Sequence, residues 1–268
     1  MAQDWEYNGV NLTRYGFNIQ HLGAPLNTAP FRGDNIVVPH KTGRLYTAKW
    51  ADQRIVSLSM WVKDIPVDAG TPNAESYMLA NLDTLRQLFG APGQHTLKHQ
   101  FGTVTRLAQA EVVNQVEFQP EGINNVYRLV VEFQLADPWW YAESATTVGP
   151  TSIVSNPQNI TVTNAGTYQV EDAIITTAGL IVNPKFAVGT RWVQYTGTVP
   201  AGGTLVVNCG AFTAALGTSN VTGDISHVGG VEWLLLQPGA NTFTVSAASM
   251  GTAAQAPAVS VSFTAPFV

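Results

Sequence analysis

The chain has 268 residues and one cysteine, Cys209, so it can bury a core without cross-links and has no thiol pair for a disulfide, zinc knuckle or redox motif. A formal net charge of -5 with no basic run excludes a protein that grips nucleic acid by neutralising many phosphates. No stretch approaches the roughly 18 consecutive apolar residues of a membrane span, and the N-terminus lacks the basic and apolar regions of a signal peptide, so a soluble chain made in a cytoplasm is expected.

Charge is unevenly spread. Up to Thr147 there are 11 Lys and Arg and 14 Asp and Glu, whereas from Val148 onward there are 2 and 4. The later part is rich in Thr, Val, Ala, Gly and Ser, which suits short strands and turns. Two domains are expected, 1–147 and 148–268, with the seam in the small polar stretch 142–158.

In the first domain, 7–11 and 15–20 read as short strands around turns at Asn8-Gly9 and Gly16. The stretch 33–63 then reads as an extended run, a glycine turn at Lys41-Thr42-Gly43-Arg44, and a long strand. There Val56, Leu58, Met60 and Val62 make one apolar face, and Ile55, Ser57, Ser59 and Trp61 a mixed one. Residues 74–89 carry Met78, Leu82, Leu85 and Phe89 on one helical face, after Thr71-Pro72-Asn73 and before Gly90 and Pro92 as start and stop signals. Strands are expected at 96–101, 110–118 and 126–135, the last alternating from Tyr127 to Leu135. Asp137-Pro138-Trp139-Trp140-Tyr141 closes the domain.

The second domain reads as short strands near 160–163, 171–177, 180–182, 192–196, 203–209, 231–236, 241–247 and 258–263, separated by Gly, Pro and Asn turns. That is the pattern of an antiparallel sandwich or jelly roll. The fold class is therefore mainly β, with one helix.

Little in the sequence points to catalysis. His95 and His99 are four apart but fall in an expected strand with no further ligand nearby. Asp224, Ser226 and His227 have the residue types of a hydrolase triad without a nucleophile elbow. Carboxylates are scarce in the second domain, with Glu171 and Asp172 adjacent, which is poor for glycoside cleavage. Cys209 follows Leu205-Val206-Val207 and reads as a buried small hydrophobe. Trp192 and Trp233 could stack on a sugar ring, giving a carbohydrate-binding adhesin as the alternative function. No enzyme activity, cofactor or metal is expected.

The order of motifs resembles the distal tail proteins of siphophages. In the first domain these are Phe31-Arg32-Gly33-Asp34, Lys41-Thr42-Gly43-Arg44, the strand 54–62, a helix with Leu82 and Leu85, Gly90-Ala91-Pro92-Gly93 and Asp137-Pro138-Trp139. In the second they are Asn164-Ala165-Gly166-Thr167-Tyr168 and the run from Trp233 to Phe243, similar to a Trp-x-x-Leu-x-Pro-Gly-x-Asn pattern. The resemblance implies a tail-tube-like first domain and a galectin-like outward sandwich. It also implies a homo-hexameric ring in the virion tail, partnered by tail-tube and hub or baseplate proteins, through which DNA passes without specific binding. Sixfold symmetry needs a heterologous contact, for which Ile55, Trp61, Lys41 and Arg44 are the expected interface, the face of Ile55 and Trp61 being covered by a neighbour or by the helix.

Overall fold

The computed structural model describes residues 3–15, 28–37, 39, 42–63, 77–121, 126–228, 233–251 and 256–268. The chain divides into two compact units, Met1–Trp140 with Val268, and Tyr141–Phe267. The stretch 142–158 lies inside the second unit and contains the strand Thr146–Ser152.

The first unit opens on β1 (Gln3–Tyr7) and β2 (Val10–Asn11). Asn8 and Gly9 join them at φ 49 and 77, the left-handed pair that a two-residue hairpin turn requires. A 3-10 turn, Leu12–Tyr15, follows, so Tyr15 ends a helical turn rather than starting a strand; 16–20 lie outside the described residues. Next come β3 (Phe31–Arg32), β4 (Ile36–Val37), β5 (Arg44–Leu45), β6 (Trp50–Ala51) and the long β7 (Arg54–Lys63). Helix α1 spans Tyr77–Phe89, with 74–76 outside the described residues. Strands β8 (His95–Phe101), β9 (Val104–Val112), β10 (Gln119–Pro120) and β11 (Val126–Leu135) complete the unit.

Strand β9 departs from expectation: pairing covers 104–112 rather than 110–118. Its buried positions are Ala108 and Ala110, whose small side chains hide the alternation in the sequence. Val113 N–H still donates to Glu132 O (3.0 Å), and beyond it the Asn114 side chain takes over the hydrogen bonds to β11. Asn114 Nδ2 donates to Val130 O (2.9 Å), and Glu132 N–H donates to Asn114 Oδ1 (2.8 Å).

Strand β11 carries β7 along one edge for its whole length, and on its other edge β10 at Tyr127–Arg128 and β9 at Phe133–Gln134. From β9 the sheet continues through β8 and β1 to β2. It folds back on itself, since Tyr7 of β1 lies 4.8 Å between ring centroids from Phe133 of β11, far closer than three strand spacings of about 4.8 Å would allow in a flat sheet. Helix α1 packs inside this fold: Phe89 meets Phe133 at 6.3 Å and Tyr7 at 6.4 Å, and Met78, Leu82, Leu85 and Leu88 are buried. Both elements thus turn their expected apolar faces to one core.

The second unit is a two-sheet antiparallel sandwich. Among the described residues, one sheet runs in the order 146–152, 258–263, 174–178, 204–208, 213–216, 219–220. The other runs 158–164, 239–246, 185–188, 191–195, 225–227, and a small sheet joins 198–199, 181–182 and 249–250. Ile175, Leu205, Val207 and Val261 from the first sheet share one core with Val162, Phe186, Val193 and Phe243 from the second. The alternate, outward positions are mostly uncharged and polar: Asn159, Thr161, Thr163, Thr242 and Thr244 on one sheet, and Thr176, Thr204, Ser260 and Ser262 on the other. The strand expected at 231–236 is absent among the described residues; 231–232 fall outside them, and Leu236 makes one bridge to Val170. Trp233 and Leu234 are adjacent and both buried, which a pleated strand between core and solvent cannot arrange.

The bridge joins the two motifs of this unit. Asn164, 1% exposed, donates through Nδ2 to Tyr168 O (2.8 Å) and Leu236 O (3.2 Å), and its Oδ1 accepts from Gly166 N–H (2.8 Å). A Cβ on Gly166 would lie 2.2 Å from Pro266 O. In the other motif, Gly239 turns at φ 91, while Asn241 accepts from Gln237 N–H and donates back to Gln237 O.

Candidate assembly surface

Strands β3 and β6 pair only with each other among the described residues, as do β4 and β5. The chain from Phe31 to Ala51 therefore forms an arm. Its base is tied where Asp52 N–H donates to Pro30 O (2.7 Å), and its sides where Thr47 Oγ1 donates to Asp34 O (2.7 Å). Gly43, at φ 89 beside β5, has the left-handed backbone expected of the reversal. Phe31, Ile36, Leu45, Tyr46 and Trp50 are 69%, 56%, 49%, 80% and 63% exposed. Isolated exposed apolar residues are ordinary, but this concentration on one arm makes it a candidate contact surface.

The arm runs directly into β7, whose Val56, Leu58, Met60 and Val62 are buried. Its opposite face, with the outward residues of β11 in register, carries the rows Ile55–Gln134, Ser57–Glu132, Ser59–Val130 and Trp61–Arg128. Ile55 and Val130 remain 46% and 41% exposed. Because α1 lies on the inner side, it does not cover this face; of the two covers expected, the helix is excluded. Trp61 is half-buried and donates its indole N–H to Glu121. Glu111 and Glu117, both exposed, flank the face where β9 and the segment after it border β11. Beside Asn114 a cleft of about 410 Å³ is lined by Glu117, Gln119, Arg128 and Val130 among others.

Of the four residues expected at an interface, Ile55 and Trp61 lie on this outer face and Arg44 is exposed on the arm, while Lys41 falls outside the described residues. The arm's apolar side chains and the surrounding glutamates were not singled out from the sequence. A density of large apolar residues in a turn-rich, aperiodic stretch was the available signal.

The other candidates separate. Trp233 is 6% exposed, edge-on to Phe212 at 5.6 Å, so it offers no face to a sugar. Trp192 is half-buried, with Lys185 Nζ 4.2 Å above its ring, a cation–π contact that occupies one face. His99 stacks on Trp5 at 4.2 Å and His95 meets Tyr7 edge-on; four residues of strand separate their Cα atoms by roughly 13 Å, too far to share one ion. Ser226 and His227 are neighbours on a strand and point to opposite faces. Among the described residues, no three His, Cys, Asp or Glu side chains converge in a way that could hold a metal. Cys209 is fully buried, and burial, with Asp172 adding to it, pushes its thiol up to about 12.

No protein-family model and no curated protein matches the chain. Among solved structures it is similar to the Dit protein (gp 19.1) of phage SPP1, described as a paradigm of the hub adsorption apparatus in phages that infect Gram-positive bacteria. The TM-score is 0.72 at 14% identity, over 100% of both chains. It also matches chains of the phage P2 baseplate in its activated conformation, with Ca and with Sr, at TM-scores of 0.42 and 8% identity. The SPP1 likeness is one of fold, and it spans both units.

Proposed function

We propose that the chain is a structural protein of a phage tail, of the distal-tail kind, assembling into a hexameric ring between the tail tube and the hub or baseplate and leaving a channel for DNA. The observation that carries this is the likeness to the SPP1 Dit protein over the full length of both chains, first and second unit alike. An enzyme would need convergent chemistry, and among the described residues His95, His99, the Ser226 region and Cys209 are instead dispersed or buried. The arm supports assembly, since five large apolar side chains in water favour association. A mild acidic excess suits a channel wall that DNA must slide past.

Negative-stain electron microscopy of the purified protein tests the reading directly. Six-fold rings with a central hole are expected, with a light-scattering mass near six times 28.7 kDa. A single-chain mass at every micromolar concentration and buffer tried would overturn the ring.

A further inference from the structure

The arm and the outer face of the β7–β11 pair differ in charge as well as in place. Within the described part of the arm, Arg32, Arg44 and Lys49 stand against Asp34 alone. On and around the face, Glu111, Glu117, Glu121 and Glu132 stand against Lys63 and Arg128. Both surfaces also carry uncovered apolar groups: Phe31, Ile36, Leu45, Tyr46 and Trp50 on one, Ile55 and Val130 on the other. Among the described residues, nothing in the single chain covers either surface. Two different, complementary surfaces on one molecule make a head-to-tail contact, which closes into a ring when the rotation per copy allows it.

We propose that the arm of one copy docks on the outer β7–β11 face of the next, with Arg44 and Lys49 against Glu111 and Glu117, and an arm side chain in the cleft beside Asn114. This contact rests on the ring reading and specifies its interface. The cleft, about 410 Å³, is large enough for any side chain of the arm. Its rim of Glu117 and Arg128 provides partners for charges of either sign.

The test is a pair of charge-reversed proteins. One carries Arg44→Glu and Lys49→Glu, the other Glu111→Lys and Glu117→Lys; all four residues are exposed, and unchanged melting curves check that folding is intact. Light scattering on each alone should give at least tenfold weaker association than the native protein. Mixed in equal amounts, the two should reassemble, because each reversed surface now meets an opposite charge on the other protein in an alternating, even-membered ring. Combining all four substitutions in one chain should also restore assembly. If the native protein assembles and the reversals change nothing, the contact is wrong while the ring stands. Weakened variants that neither mixing nor combination rescues would mean that another surface or another protein receives the arm, which also overturns the proposal. A native protein that stays a single chain throughout sinks the ring reading, and this contact with it.

Discussion

At the scale of single residues, the two motifs of the second unit are held by Asn164 and Asn241, each bonded through both ends of its amide. Asn164 is buried and uses both ends of its amide, to Tyr168 O, Leu236 O and Gly166 N–H. Replacing it with alanine leaves two carbonyls and an N–H buried without it. Asn164→Ala should therefore cost about 2–3 kcal/mol in urea unfolding of this unit, an unmet buried partner being expensive. Cys209 supplies a pH-dependent effect. Its folded thiol sits at about 12 against an ordinary 9.0, so between these values the unfolded chain loses a proton that the folded chain keeps. The contribution is intact below pH 9 and is lost as the pH climbs toward 12. Unfolding measured from pH 8 to 11 should show a fall that is shallower in Cys209→Val, and identical slopes would refute the assignment.

At the scale of elements, the arm and β7 belong to one continuous segment with different roles. The arm pairs only with itself among the described residues, so replacing 31–51 by a short Gly-Ser linker should leave the first unit's melting temperature within a few degrees of native while abolishing rings in micrographs. Trp61→Asp, which removes the indole and its bond to Glu121 from the apolar part of the outer face, should weaken assembly tenfold or more by light scattering and leave the second unit's unfolding unchanged. The sequence made much of this segment readable: the alternation of β7, the face it buries, the turn at Gly43 and the apolar side of α1 all follow from periodicity and glycine chemistry. It could not reveal where β9 pairs, because Ala108 and Ala110 carry almost no hydrophobic signal and a single Asn114 amide ends the ladder. Nor could it place Trp233, since burial of Trp233 and Leu234 together depends on chain irregularity that no alternation encodes. The motifs of the second unit were visible as sequence; their use, an asparagine closing each turn, needed the hydrogen bonds.

At the scale of the whole molecule, each unit has its own hydrophobic core, and calorimetry of the unassembled chain should resolve two transitions. A second-unit substitution such as Asn164→Ala should lower one and leave the other; a single transition that moves as a whole would count against independent units. The sandwich's Thr- and Ser-covered outer faces have a further consequence. With 2 basic and 4 acidic residues from Val148 onward, this part of the chain has little charge for dissolved ions to screen. In the proposed docking, where the arm's cations meet the glutamates of the next copy, contacts made through the first unit should weaken as salt shortens the reach of charge to a few ångströms at molar concentration. A partner seated on the sandwich through hydroxyl and amide hydrogen bonds would stay in place, so raising the ionic strength becomes a way to part the arm-mediated contacts while leaving whatever the sandwich holds attached.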